Sequence, residues 1–107
     1  MADDVITEIE NEIRDNKVMI YMKGTPSFPQ CGFSAATIEI FEELGHPFNS
    51  VDILSNPAKR EGIKRYSNWP TIPQIYVDGK FIGGCDIVRE MHQRGELKRL
   101  LDTSFGS

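Results

Sequence analysis

The run Val18-Met19-Ile20-Tyr21-Met22 constrains the fold of this chain more than any other feature. Five consecutive apolar residues do not alternate, which suits a strand buried on both faces and placed centrally in a sheet. Punctuation follows at once. Lys23 to Gln30 contains Gly24, Pro26 and Pro29, a stiff irregular loop that neither a helix nor a ladder accepts. Beyond it Phe33, Ala36, Ile40, Phe41 and Leu44 recur with helical period, and Gly45 stands where a left-handed C-cap is expected. Strand then helix demands a parallel second strand, and Phe48 to Ile53 supplies it.

The flanking elements read in the same way. Ile6, Ile9 and Ile13 form one apolar stripe on a helix from Asp4 onward. Asn56-Pro57 is an N-cap with proline at the first helical position, opening a helix through Lys59, Arg60, Ile63 and Tyr66 that ends near Ser67. Gln74 to Val77 and Lys80 to Ile82 flank Asp78-Gly79, which favours a type I′ hairpin turn. Gly83 and Gly84 then break the strand, Asp86 is expected to cap a helix burying Ile87, Val88 and Met91, and Gly95 separates a last helix bearing Leu97, Leu100 and Leu101. The predicted order α-β-α-β-α-β-β-α-α is an α/β fold, a mixed four-stranded sheet flanked by helices. A chain of 107 residues makes it a single domain over residues 1–107.

Charge and cysteine usage narrow the function. Sixteen acidic against twelve basic side chains give a net charge of -4, which argues against a nucleic-acid partner. No stretch approaches the ~20 apolar residues that span a bilayer, and Met1-Ala2-Asp3-Asp4 lacks the order of a secretory leader. Two cysteines are too few for a secreted disulfide scaffold, so a cytoplasmic location is expected.

Cys31 closes the loop and opens the first strong helix, where unpaired amides and the positive dipole end favour a thiolate, and Lys23 adds a positive charge nearby. Cys31-Gly32-Phe33-Ser34 has Cys-x-x-Cys spacing with serine in the second place. A hydroxyl cannot resolve a mixed disulfide, so resolution must come from outside the motif. Cys85 is a candidate for that role if its Cα comes within disulfide reach. Pro73 cannot donate to a ladder, and a cis Ile72–Pro73 bond would free the Thr71-Ile72 backbone for an extended peptide, although trans is commoner. Gly83-Gly84-Cys85-Asp86 reads either as an anion-gripping helix start or as a plain strand end with its cap. Lys23 and Arg60 are candidates to hold a second carboxylate, although lone basic residues on such elements are usually just solvated. His46 and His92 read as surface or packing residues, because with the two cysteines they do not make zinc-ligand spacing.

Several separated blocks carry a resemblance: Lys23-Gly24-Thr25-Pro26 with Pro29 before Cys31-Gly32-Phe33-Ser34, then Ser67-Asn68-Trp69-Pro70-Thr71-Ile72-Pro73-Gln74, then Asp78-Gly79 and Gly83-Gly84-Cys85-Asp86. Along nearly its whole length the chain resembles the single-domain monothiol glutaredoxins of the Cys-Gly-Phe-Ser class. The resemblance implies a thioredoxin-like fold with Pro73 as its cis proline. It also implies a glutathione site: Lys23 and Arg60 face the glycine carboxylate, Ile72 pairs through its backbone with the cysteinyl part, and Cys85 with Asp86 holds the γ-glutamyl end. Cys31 carries the reactive sulfur and is the metal ligand. Such proteins resemble carriers of a labile 2Fe–2S cluster, which takes four thiolates. One Cys31 and one glutathione from each of two chains complete that set, so a homodimer is expected when the cluster is bound. BolA-like proteins and apo iron-sulfur clients are the implied partners. The alternatives are a glutathione-dependent disulfide oxidoreductase acting through Cys31 and a redox-inert adaptor.

Overall fold

The computed structural model describes residues 2–106, with side chains from residue 4 onward. Met1, which figures in the expected absence of a leader, lies outside the described residues. Among them the elements run α1 (Ala2–Asp15), β1 (Val18–Met22), α2 (Gly32–Leu44), β2 (Asn49–Asp52), α3 (Pro57–Ser67), β3 (Gln74–Val77), β4 (Lys80–Gly83), α4 (Cys85–Gln93) and α5 (Glu96–Gly106). The sheet order is β2-β1-β3-β4, with β1 parallel to β2 and antiparallel to β3, and β3 antiparallel to β4. The expected mixed four-stranded sheet is therefore present, and along the chain the elements follow the predicted α-β-α-β-α-β-β-α-α.

The continuous apolar run of β1 is explained by cover on both sides. Val18, Ile20 and Met22 face one core with Ile38, Phe41, Val88, Leu97 and Leu101 from α2, α4 and α5. Met19 and Tyr21 face the other, with Ile9, Ile13 and Ile63 from α1 and α3. Alternation assigns successive residues to opposite faces, and both faces are dry. The second face also carries charge. Lys59 is buried and pairs with Glu8 and Glu12, while the Tyr21 hydroxyl donates to Glu12 at 2.8 Å. Burial works against the Lys59 charge, but the hydrogen bonds and charges of Glu12 and Glu8 outweigh it and hold its pKa above the ordinary value.

The α1–α3 contact passes over Gly62, where an added Cβ would lie 2.4 Å from Val5 Cγ1 and 3.2 Å from Ile9 Cδ1. Replacing Gly62 by valine is expected to lower stability by about 1–3 kcal/mol through overpacking. Urea denaturation checks this, and an unchanged midpoint would show that the two helices part without cost.

Three expectations need correction. In α2, Phe33 is not on the core stripe; it is 57% exposed, while Ser34, Thr37 and Ile38 are buried. Asp86 is not the cap of α4: Gly84 is, with no side-chain bond, and Asp86 sits in the first turn, leaving Ile87 exposed. The second strand is shorter than Phe48 to Ile53, although the Ile53 amide still donates to the Met22 carbonyl at 2.9 Å.

Candidate functional site

The carboxyl end of β1 delivers the chain to the site. Lys23 donates its amide to Ser34 Oγ at 3.1 Å, and Gly24 donates to Asp52 Oδ1 at 2.9 Å, the same oxygen that accepts the Leu54 amide. The loop between β1 and α2 is thereby tied to α2 and to the end of β2. It is also closed on itself: the Thr25 and Phe28 backbones exchange two bonds, and the Gln30 amide donates to Lys23 at 2.9 Å. Gly24 has φ +88, and a Cβ there would meet the Phe28 carbonyl at 2.4 Å, so no other residue fits this turn.

Cys31 stands at the N-cap of α2 in extended conformation, with no side-chain bond closing the cap. The Ser34 amide, directed at the sulfur, lowers the Cys31 pKa below the ordinary thiol value; burial opposes this, and the Phe33 amide, the Lys23 charge and the Ser34 hydroxyl reinforce it. Ser34, the second position of the four-residue motif, is wholly buried and has a scaffolding task in accepting the Lys23 amide.

Cys31 opens onto a cleft of about 570 Å³, within the ~300–1,000 Å³ usual for small-molecule sites. Every residue singled out from the sequence lines it: Lys23, Cys31, Arg60, Ile72, Cys85 and Asp86. Asn56 caps α3 through the Lys59 amide at 3.1 Å and so aims Arg60. The Ile72–Pro73 bond is cis, as the resemblance implies. Cys85 is buried at the start of α4, its sulfur 3.6 Å from an Arg89 guanidinium nitrogen. Sequence reading missed Lys64, Phe33, Trp69 and Ile87, which also line the cleft. Lys64 follows Arg60 by one helical turn, a spacing that could have revealed it.

The cleft is cationic in a chain of negative net charge. Lys23, Arg60 and Lys64 stand against Asp86, and none of the three cations is paired with a carboxylate among the described residues. Arg60 Nε and Trp69 Nε1 are buried donors without a partner among the described residues. Unpaired buried donors are costly, so this edge is built to receive acceptors. No group of three or more His, Cys, Asp or Glu side chains is placed to hold a metal ion among the described residues.

A cysteine at a helix start and a cis proline, lining one cleft on a four-stranded mixed sheet, define the thioredoxin-like class. The glutaredoxin family model matches residues 18–82, more than half of the chain, and the chain belongs to that family. It is 50% identical over 99 residues to the monothiol glutaredoxin ycf64-like protein of Synechocystis, covering 92% of each chain. It is also 50% identical over 96 residues to Glutaredoxin 4 of Escherichia coli, covering 90% of this chain and 84% of that one. Within the family it is thus of the monothiol, Glutaredoxin 4-like kind. In the solved buckwheat glutaredoxin–glutathione complex the same fold recurs, with a TM-score of 0.86 at 22% identity, over 96% of this chain and 92% of that one. No helix among the described residues is long and apolar enough to cross a membrane.

Proposed function

We propose that this protein binds glutathione in the cleft and, with a second copy, carries a labile 2Fe–2S cluster for delivery to apo-proteins. The observation that carries the reading is the convergence on one cleft of an accessible low-pKa thiol, unpaired cations, a free backbone edge and a helix start. Glutathione has a matching group for each: the glycine carboxylate for Lys23 and Arg60, the cysteinyl backbone for Ile72, and the γ-glutamyl carboxylate and ammonium for the start of α4 and Asp86. Binding of glutathione by the buckwheat protein of the same fold supports the assignment.

The donor set fits the cluster by halves. Among the described residues the chain offers one half-buried thiol with a lowered pKa, Cys31, and soft thiolates are what such clusters require. Two Cys31 sulfurs and two glutathione sulfurs make four, so cluster loading and dimerisation are expected together. A BolA-like protein in place of one copy would keep the same half-site. The cytoplasm, where glutathione is abundant and thiols stay reduced, suits this chemistry.

The lowered Cys31 pKa also favours a second activity on the same sulfur. The Cys31 thiolate attacks the glutathione sulfur of a glutathionylated protein, forming a Cys31–glutathione disulfide and releasing the protein thiolate. A second glutathione thiolate then breaks that bond, leaving oxidised glutathione and free Cys31.

Anaerobic loading with iron, sulfide and glutathione, followed by visible spectra and sizing, tests the carrier reading. A coloured dimer that reverts to a colourless monomer on removal of glutathione is the expected pattern. A colourless monomer throughout would leave the oxidoreductase activity as the function.

A further inference from the structure

Gln74, the first residue of β3, is polar yet wholly buried. Its amide is fully engaged: Nε2 donates to the carbonyls of Trp69 at 3.0 Å and Thr71 at 3.3 Å, and Oε1 accepts the Tyr76 hydroxyl at 3.1 Å. The opposite amide orientation would set an oxygen against two carbonyls, so the network admits one arrangement. Tyr76 is itself held in place, edge-on to Tyr21 at 5.8 Å between centroids and against Phe81 at 5.3 Å. Burial pushes its phenol well above the ordinary range, so it remains a donor.

Trp69 and Thr71 bracket the segment that reaches Ile72, and their carbonyls are drawn inward to Gln74. Between them and Pro73, neither the amide nor the carbonyl of Ile72 has a hydrogen-bond partner among the described residues. One buried side chain thus fixes the backbone that borders the cleft while leaving the Ile72 amide and carbonyl unspent.

We propose that Gln74 is a positioning residue that sets the preference of this site for peptide thiols over simple thiols, by holding the Trp69–Pro73 backbone where the Ile72 amide and carbonyl meet the backbone of a peptide ligand. The inference rests on the glutathione reading of the cleft and names what within the chain makes it selective. Gln74 touches no reacting atom; it acts through Ile72.

The test compares two probes on the wild type, Gln74→Met and Tyr76→Phe. The first, S-methylglutathione, presents the peptide backbone without a reactive thiol, and its affinity is read by calorimetry below each melting temperature. The second, methyl methanethiosulfonate, carries no peptide group, and its rate of reaction with Cys31 is followed against pH. Methionine fills the glutamine volume without donors, and its affinity for S-methylglutathione is expected to fall about tenfold. Loss of the tyrosine hydroxyl alone is expected to cost about threefold. The methyl methanethiosulfonate profile is expected to stay unchanged in both. Equal affinity in wild type and Gln74→Met overturns the proposal, as does a loss of affinity for S-methylglutathione accompanied by an equal loss of reactivity towards methyl methanethiosulfonate. Should Gln74→Met not fold, unchanged affinity in Tyr76→Phe overturns it instead. A wild type that fails to take up S-methylglutathione removes the glutathione reading and this inference together, whereas binding without dependence on Gln74 removes only the latter.

Discussion

Replacing Cys31 by serine is expected to abolish all visible absorption after anaerobic loading, to leave the chain monomeric, and to reduce deglutathionylation to background. Serine is close to cysteine in size and suits the extended N-cap of α2, so the scaffold survives. Its hydroxyl does not ionise in the working pH range and does not ligate iron as a thiolate does. The wild-type sulfur carries a pH signature that serine lacks. Its folded pKa lies below the ordinary thiol value, chiefly because the Ser34 amide favours the charged form. Alkylation of the wild type is therefore expected to rise through a midpoint below ~8.5. For a depressed acid of this kind the linked stability is present above the unfolded thiol's pKa and is lost as pH falls through the folded one. Serine at this position should flatten that part of the stability profile. Retained colour in the variant, or a wild-type alkylation midpoint at or above the ordinary thiol value, would remove Cys31 from the centre of the chemistry.

The next largest effect is expected from Arg60→Glu. Arg60 lines the cleft, pairs with no carboxylate among the described residues, and keeps Nε buried without a partner. In the proposed complex it meets the glycine carboxylate together with Lys23, so reversing its charge removes a charge-assisted bond and opposes like with like. The affinity for S-methylglutathione is expected to fall at least about thirtyfold, the lower bound for breaking such a pair. Arg60→Lys should fall between that variant and wild type, since lysine keeps the charge but loses the planar fork. Calorimetry at two ionic strengths checks both, because the wild type should weaken with salt and the reversed variant should not. Arg60→Glu bound as tightly as wild type would place the carboxylate elsewhere.

Much of the fold was legible because its signals are local. The apolar run at Val18–Met22, the Asn56-Pro57 start and the Asp78-Gly79 turn each carry their own cause, and each element appears where expected. The polar residues missed in the core share a cause as well. Burial follows satisfaction as much as apolarity: Ser34 is buried because it accepts the Lys23 amide, and Thr37 because its hydroxyl returns to the Phe33 carbonyl at 2.9 Å. A hydrophobic stripe is blind to such residues, so it placed Phe33 inside instead. Gln74 was invisible for the same reason, its partners being carbonyls five and three residues earlier and a hydroxyl two residues later. At the site, Cys31 was readable from its place between loop and helix, whereas Trp69, Lys64 and Ile87 depend on how α3, the proline segment and α4 converge. That convergence is a property of packing between distant elements.

The loop ahead of Cys31 has a thermodynamic consequence. Its two-way Thr25–Phe28 pairing, its tie to Asp52 and its closed glycine turn leave it no slack, and it thrusts Phe28 outward, 74% exposed. A loop already closed by its own bonds need not be ordered when a ligand binds beside it, so capture spends little conformational entropy there. The two ends of the loop, Lys23 and Cys31, line the cleft, so the place of this charge and of this sulfur is set in advance by the bonds that close the loop.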